Sequence, residues 1–323
     1  MTGKAVFGKL GSLAVPVVLL VVLGIVAIVR APNLFTASGL GNGVLVAAPL
    51  FFATLALTPI VMSGRGAVDL SIGPLIGFLN VTLIAWLSAN GITNPILFIG
   101  WALLAGALWQ VLLALIVTYV RISPIIVSLA GYLMLSGVNL MIMSRPGGTA
   151  PDWLMAWGMG GGSQIVSPIL VLVLVALAVW GIVTRTGFYR QLRLVGSDER
   201  MAYTAGVRVN AVRLIAFAIG GMFAGFAALS YTALISSGDP TQGSTYTLQA
   251  ITALVLGGAS LSGGRGSAIG AGLGALNMFL ITYLLGTFNF GSLSGFVTQL
   301  AFGAILACSL LVNVFSSSAA RRT

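Results

Sequence analysis

The sequence predicts an all-α fold: a polytopic transmembrane helical bundle of about ten spans, with both termini in the cytoplasm. Three observations carry this prediction. The 323 residues are 58% hydrophobic and only 6% charged, with a mean hydropathy of +1.09. The apolar residues form runs of about 20, the length that crosses a bilayer as a helix. The basic residues lie in the short gaps between these runs.

Soluble domains carry roughly 25% charged residues, so this composition is typical of a membrane protein. Backbone polar groups in a bilayer must be paired internally, which favours helices. We treat residues 1–323 as a single transmembrane domain. The first span is expected to be retained, because its apolar run exceeds the ~7–15-residue core of a signal peptide. The predicted spans are 11–30, 42–63, 70–89, 95–118, 124–143, 165–183, 212–235, 247–262, 268–286 and 294–314.

The basic residues divide unequally between the two sides of the membrane. With the N-terminus inside, the outer side holds only Arg30 and Arg145. Cytoplasmic loops carry an excess of Lys and Arg, so this division supports the span count and places both termini inside. The net charge of +10 therefore indicates topology rather than a nucleic-acid partner. The cytoplasmic set is Lys4, Lys9, Arg65, Arg121, Arg185, Arg190, Arg193, Arg200, Arg208, Arg213, Arg265, Arg321 and Arg322.

Side chains for acid–base chemistry are scarce. The chain has no histidine, and its single cysteine, Cys308, lies in an apolar run. We find no convincing acid–base pair for a membrane-embedded enzyme, and we expect no cofactor and no metal. No ionisable residue lies deep in a predicted span, which argues against a proton relay. The five acids are Asp69, Asp152, Asp198, Glu199 and Asp239.

The cytoplasmic segment 184–211 is rich in arginine. Gly196 and Gly206 bracket a stretch that predicts one helix of about two turns, with Ser197 as its N-cap and two acids in its first turn. Two interpretations stay open. The segment is either a solvated positive-inside loop or a helix that docks on a cytoplasmic partner.

Residues 256–275, LGGASLSGGRGSAIGAGLGA, form a basic glycine-rich loop between apolar runs. This stretch resembles the signature of the inner-membrane permeases of bacterial ATP-binding cassette sugar importers, such as those for ribose, xylose, arabinose and galactose. Further similarities to this family lie at AVDLSIG (67–73), at SGDPTQGSTYTLQAITALVLGG (237–258) and at VGSDERMAYTAGVRV (195–209). The resemblance covers nearly the whole chain in order and spacing.

The resemblance implies a monosaccharide permease in the bacterial inner membrane that works by alternating access with a second permease, a copy or a paralogue. It also implies two cytoplasmic ATP-binding subunits, and a periplasmic sugar-binding protein that docks near 144–164 and 236–246. The chain has no G-x-x-x-x-G-K-[ST] loop, so ATP hydrolysis is expected on partner subunits. Related permeases leave a nucleoside, an autoinducer-type furanose or a branched-chain amino acid open as the solute. An ion-coupled secondary transporter is the other alternative.

The resemblance also implies roles for single residues. The family's Glu-Ala-Ala triplet aligns with Arg200-Met201-Ala202, and its acid stands one place earlier, as Glu199. The family often has acids where this chain has Thr247 and Gln249. The residues implied to couple the permease to the ATP-binding subunits are Gly196, Asp198, Glu199, Arg200, Ala202 and Gly206.

Two Gly-Arg-Gly triplets lie at the cytoplasmic ends of spans. Their arginines either anchor the spans or contact the ATP-binding subunits or an inner gate. Asp69 is either the N-cap of the third span or a gating residue. The candidate residues for a cytoplasmic gate or interface are Arg65, Asp69, Gly264, Arg265 and Gly266.

Polar side chains inside the predicted spans are candidates for the solute path, because amides both donate to and accept from hydroxyl groups. Hydrogen bonding between helices explains each amide equally well. The candidate path residues are Asn80, Gln110, Asn139, Tyr231, Gln249 and Asn277.

Glycines four residues apart predict close helix packing on two spans. They are Gly221 and Gly225 on the seventh span, and Gly266, Gly270 and Gly274 on the ninth.

Overall fold

The computed structural model describes residues 13–159, 167–288, 295–305 and 307–308. Within these ranges the fold is a helical bundle without a β-strand, which confirms the predicted all-α class. The helices are α1 (Ala14–Arg30), α2 (Ala37–Met62), α3 (Ile72–Thr82), α4 (Pro95–Leu115), α5 (Pro124–Ile142), α6 (Asp152–Met159), α7 (Pro168–Arg185), α8 (Gly187–Ser197), α9 (Glu199–Thr204), α10 (Val209–Ile235), α11 (Tyr246–Leu256), α12 (Ala268–Gly286) and α13 (Gly295–Ile305).

Among the described residues, seven helices are long and apolar enough to cross a membrane. They are α2, α3 with its continuation to Asn90, α4 with its continuation to Val120, α5, α7, α10 and α12, and each coincides with a predicted span. Helix α1 is slightly shorter, with 17 residues. Residues 294, 306 and 309–314 of the tenth predicted span lie outside the described residues. The count of ten spans and the orientation of the termini stay predictions.

The eighth predicted span, 247–262, is wrong in its length. Helix α11 ends at Leu256 after 11 residues, which at 1.5 Å per residue is about 16 Å, half of a bilayer core. Gly258, Gly263 and Gly264 follow with φ of 85°, 108° and 71°, values that a right-handed helix excludes. The stretch is apolar because it is buried in protein, and apolarity alone does not separate this case from a lipid-facing helix.

Close packing around α10 forms the centre of the bundle, where α10 lies along α4 and α2. A Cβ atom on Gly221 would lie 2.2 Å from the Gly106 carbonyl oxygen, and one on Gly225 2.6 Å from a carbonyl oxygen of α4. On α12, Cβ atoms on Gly270 and Gly274 would lie 2.3 and 1.8 Å from carbonyl oxygens at the end of α11. These contacts confirm the predicted small-residue packing.

Helices α3 and α11 begin next to each other, and a segment that is not α-helical precedes each of them (63–71 and 236–245). The hydroxyl of Thr247, in the first turn of α11, accepts a hydrogen bond from the Gly73 N–H at 3.1 Å. It donates one to the Leu70 carbonyl at 3.2 Å. Irregular backbone at membrane depth is tolerated where protein encloses it, and here the first turns of α3 and α11 lie against each other.

Candidate functional site

The segment 184–211 contains two short helices, α8 and α9. The prediction of a single helix with Ser197 as its N-cap is wrong, because α8 runs through Ser197 and α9 begins after it. Asp198 is the N-cap of α9, with an extended backbone (φ −154°, ψ 105°) that separates the two helices. Its carboxylate accepts a hydrogen bond from the Met201 N–H at 2.9 Å, which satisfies one of the free amides of the first turn.

Helix α9 rests on the protein by one side and presents the other to the surface. Ala202 is fully buried, whereas Met201 and Tyr203 are 60% and 76% exposed and Arg200 is exposed. Gly206 follows the helix with φ of 80°, which favours glycine. A cavity of about 630 Å³ lies beside it, lined by Tyr203, Thr204, Gly206, Val207, Arg208, Val209 and Asn210.

The backbones of three segments, 62–64, 196–197 and 263–264, approach each other closely at glycines. A Cβ atom on Gly196, near the end of α8, would lie 1.9 Å from the Met62 carbonyl oxygen and 2.4 Å from the Gly264 nitrogen. One on Gly263 would lie 2.4 Å from the Gly64 Cα. The Gly264 N–H donates to the Met62 carbonyl at 3.2 Å. We call Gly64, Gly196, Gly263 and Gly264 the glycine contact, and it joins the segment 184–211 to both Gly-Arg-Gly loops.

Beside the glycine contact, Glu199 lies between two arginines. Its carboxylate accepts two hydrogen bonds from Arg65, from Nε and from Nη2, each 2.6 Å long. Arg213, in the second turn of α10, donates from Nη2 to the same carboxylate at 3.3 Å. Burial raises the pKa of the Glu199 carboxyl, but the hydrogen bonds and charges of the two arginines outweigh it, and the pKa lies below its ordinary value of 4.5.

The second Gly-Arg-Gly loop is arranged differently. The Arg265 side chain is exposed and forms no ion pair with the described part of the chain. Its carbonyl accepts from the Ser260 N–H at 3.0 Å. Gly266 lies against Met62, whose Cγ would be 3.0 Å from a Cβ atom there. The structure therefore places Arg65, but not Arg265, in contact with Glu199 of α9.

Asp69 holds the non-helical segment before α3 against α4. The interpretation of Asp69 as an N-cap is wrong, because α3 begins at Ile72 and its N-cap is Ser71. The carboxylate accepts from the Ser71 N–H and hydroxyl at 2.7 Å each, and from the Gln110 side-chain amide. Asp69 is 2% exposed, so these bonds replace the water that a carboxylate otherwise needs. A gating role for Asp69 stays a prediction.

Asn80 ties α3 to the outer end of α10. Its amide nitrogen donates to the Thr232 hydroxyl at 2.9 Å and to the Ser237 carbonyl at 3.0 Å. Its oxygen accepts from the Asp239 N–H at 2.8 Å. Both ends of this buried amide are thus satisfied by protein, as expected for a residue that joins helices.

Three of the other path candidates, Gln110, Asn139 and Asn277, have a hydrogen-bonded side-chain nitrogen but a buried side-chain oxygen without a partner in the described protein. Asn139 donates to the Pro74 carbonyl at 3.0 Å, and Asn277 donates to the Pro16 carbonyl at 2.9 Å. The side-chain oxygens of Asn139, Asn277 and Gln110 are buried without a protein partner. In this conformation the amide groups bond to neighbouring helices and segments, while three oxygens stay available to a further donor.

The last two path candidates lie on α10 and α11. Tyr231 is 3% exposed, and its ring packs edge-on against Tyr246 with 5.6 Å between centroids. Its hydroxyl has no hydrogen-bond partner in the described protein. Gln249 is half-buried, one turn into α11. The six candidates therefore sit on six different helices and do not line one described cavity.

The two outer segments expected to receive a binding protein lie together. Gly147 and Gly238 exchange backbone hydrogen bonds of 3.0 and 2.9 Å. Within the segment 144–164, residues Asp152–Met159 form α6. Trp153 on α6 donates to the Thr93 carbonyl at 2.7 Å, so the helix is fixed to the bundle.

Three features of the site were not predicted from the sequence: the burial of Arg213, the hydrogen bonds of Thr247 and the exposure of Tyr203. Arg213 was counted only as a cytoplasmic charge, although it is 1% exposed and faces Glu199. Its position between Val212 and Leu214, inside an apolar helix, is the signal that indicated burial. The bridging role of Thr247 and the exposure of Tyr203 had no signal in the sequence, because both depend on contacts between distant segments.

A polytopic bundle whose described part holds seven helices long and apolar enough to cross a membrane defines the class of the protein as a multi-pass membrane protein. The chain belongs to the family described as branched-chain amino acid transport system / permease component, which matches residues 39–310. It is accordingly a multi-pass protein of the inner membrane, and its family consists of permeases rather than enzymes.

Individual relatives have more specific names. The chain is 27% identical over 302 residues to the ribose import permease protein RbsC of Escherichia coli K12, with 92% of each chain covered. It is 28% identical over 256 residues to RbsC of Bacillus subtilis 168, covering 77% of this chain and 76% of the relative. It is 27% identical over 259 residues to the autoinducer 2 import system permease protein LsrD of Escherichia coli O9:H4, covering 78% and 76%. No solved structure matches this chain significantly.

Proposed function

We propose that this chain is the transmembrane permease subunit of an ATP-binding cassette importer that moves a monosaccharide into the cytoplasm by alternating access. The observation that carries the proposal is the match to ribose import permeases over 92% of both chains. The family match covers residues 39–310, which include the outer segments, helices α3 and α11 and the segment 184–211, so the likeness concerns most of the chain.

The coupling segment supports the need for ATP-binding partners. Helix α9 exposes Met201 and Tyr203 on the cytoplasmic surface that the charge distribution predicts. Large apolar side chains beside a cavity are typical of a surface that a partner protein covers. Because the chain has no phosphate-binding loop, these partners are the proposed site of ATP hydrolysis.

The outer surface supports a second partner, a periplasmic sugar-binding protein. The backbone pairing of Gly147 with Gly238 joins the two segments that such a protein would contact. The bilayer-spanning path would form between this permease and a second one, a copy or a paralogue. Ten spans and cytoplasmic termini belong to the same proposal.

Transport measurements in cells that express the whole import system test the proposal. Labelled ribose is the probe, with cellular ATP kept intact and the proton gradient collapsed by an ionophore. We expect uptake to persist, since ATP rather than the gradient drives it. Uptake that disappears with the gradient while ATP is preserved would overturn the importer and indicate an ion-coupled transporter.

Competition in the same assay tests the solute class. Unlabelled pentoses, hexoses, nucleosides, autoinducer-type furanoses and branched-chain amino acids are added in turn. We expect a monosaccharide to block uptake most strongly. The relative named for autoinducer 2 import makes the furanoses the principal alternative, and stronger inhibition by a furanose would assign the chain to that solute.

A further inference from the structure

The carboxylate of Glu199 links a surface loop to the interior of the bundle. Both of its oxygens accept from Arg65, and Oε2 also accepts from Arg213. A bidentate arginine–carboxylate pair fixes direction as well as distance. A displacement of α9 therefore either carries the Arg65 guanidinium with it or breaks two charge-assisted hydrogen bonds.

The backbone at Arg65 is a tight left-handed turn. Gly64, Arg65 and Gly66 have φ of 85°, 58° and 62°. A non-glycine residue in this region is uncommon and is held there by its surroundings. After the turn the chain stays non-helical through Asp69, and α3 begins at Ile72. Movement of Arg65 thus reaches the first turn of α3 through a short segment that is not helical.

Arg213 holds the other side of the same carboxylate. It is 1% exposed on α10, the central helix, and Glu199 is its one acidic partner in the described structure. A buried guanidinium that loses its counter-ion is strongly unfavourable. This cost limits how far α9 moves away from α10, whereas Arg65 lies on the surface and moves with it.

We propose that Arg65, Glu199 and Arg213 form an ionic junction that transmits movement of the coupling helix α9 to the segment 63–71 and to α3. Arg213 holds the Glu199 carboxylate against α10. When α9 moves, Arg65 moves with Glu199 and transmits the displacement to α3. The glycine contact lets the three backbones approach closely enough for this link. The inference rests on the proposed function, and it makes Arg65 and Arg213 positioning residues that act through Glu199.

A matched pair of arginines tests the junction. Arg121 has the same left-handed backbone as Arg65 (φ 62°), is exposed, and forms no ion pair within the described ranges. Asparagine tolerates this conformation, so Arg65→Asn and Arg121→Asn each remove one charge with little backbone strain. Proteoliposomes containing the permease, its ATP-binding subunits and the binding protein report labelled-ribose uptake and ATP hydrolysis together.

We expect R65N to lower ribose uptake per ATP hydrolysed by about tenfold, and R121N to stay within about twofold of the wild type. Glu199→Gln should be as impaired as R65N, and the R65N/E199Q double variant no worse than E199Q, because both changes break one link. Losses that multiply in the double variant, or an R65N protein that behaves like R121N, would overturn the junction.

Arg65→Lys covers the case in which R65N does not assemble. It keeps the charge but loses the bidentate geometry, so we expect uptake per ATP between those of R65N and the wild type. Full activity of R65K would overturn the geometric link. A wild-type complex without ATP-driven ribose uptake would instead count against the proposed function, which keeps the two failures distinguishable.

Discussion

Thr247 and Gly73 join α11 and α3 at the first turns of these two helices. The Thr247 hydroxyl accepts from the Gly73 N–H at 3.1 Å, and the same hydroxyl donates to the Leu70 carbonyl at 3.2 Å. The family that the sequence resembles often carries an acid at this position. In this chain a neutral side chain with one donor and two acceptor sites satisfies backbone groups of both partners.

Replacing Thr247 by valine should destabilise the bundle. Valine keeps the branched shape but leaves the Gly73 N–H and the Leu70 carbonyl without this partner, at a cost of about 1–3 kcal/mol. Thr247→Ser, which retains the hydroxyl, is the matched control. The thermal melting midpoint of the purified permease in detergent measures both, and equal midpoints for the two variants would contradict the bridge.

An alanine at Gly196 should disturb the glycine contact. The added Cβ would meet the Met62 carbonyl oxygen at 1.9 Å, so backbones must move, with an overpacking cost of about 1–3 kcal/mol. Gly187→Ala changes the first residue of the same helix, where no atom lies within 4 Å of the new Cβ. We expect a lower melting midpoint for G196A only, and a similar loss in G187A would count against the contact.

Removing the charge of Glu199 should cost more stability than removing that of Arg65. Glu199→Gln leaves the buried Arg213 without its acid, at about 1–3 kcal/mol, whereas R65N removes a half-exposed pair worth about 1 kcal/mol or less. Arg213→Met together with E199Q removes the unpaired charge and should recover much of the loss. Melting midpoints of the three variants give the order, and an E199Q protein as stable as R65N would contradict it.

The contribution of the Glu199–Arg65 ion pair to the free energy of unfolding should decrease as the pH falls. The folded-state pKa of Glu199 is lowered, so the ionised carboxylate stabilises the fold. This contribution is complete above the ordinary value of 4.5 and is lost as the pH falls through the lower folded pKa. We expect the difference in melting midpoint between wild type and R65N to be constant near neutral pH and to shrink below about pH 4.5. A difference that grows in acid would refute the assignment.

Much of the architecture follows from local sequence signals. Runs of apolar residues predicted the positions of seven long helices, because the length and polarity of a span are properties of one contiguous stretch. Glycine spacing predicted the contacts of Gly221 and Gly274, since residues four apart share a helix face. Gly196 and Gly206 predicted a short helix between them, and α9 lies within one or two residues of that stretch, although its N-cap is Asp198 and not Ser197.

Other features depended on contacts between distant residues. The apolar stretch after Tyr246 predicted a full span, but Gly258 has a φ of 85°, and the surrounding protein accommodates a half-length helix. Asp69 looked like a helix cap from its position, but it bonds to Gln110 on α4. Asn80 looked like a path residue, and its amide joins α3 to the outer end of α10.

The sequence alone determined that this protein is a helical membrane protein with a basic segment at 184–211, because hydropathy and charge are read along the chain. Only the tertiary structure decided which charges and amides meet. Arg65 and Glu199 are 134 positions apart, and Arg265, in the same kind of triplet, has an exposed side chain instead. Nothing local separates the two arginines, because pairing depends on where the packed helices bring α9.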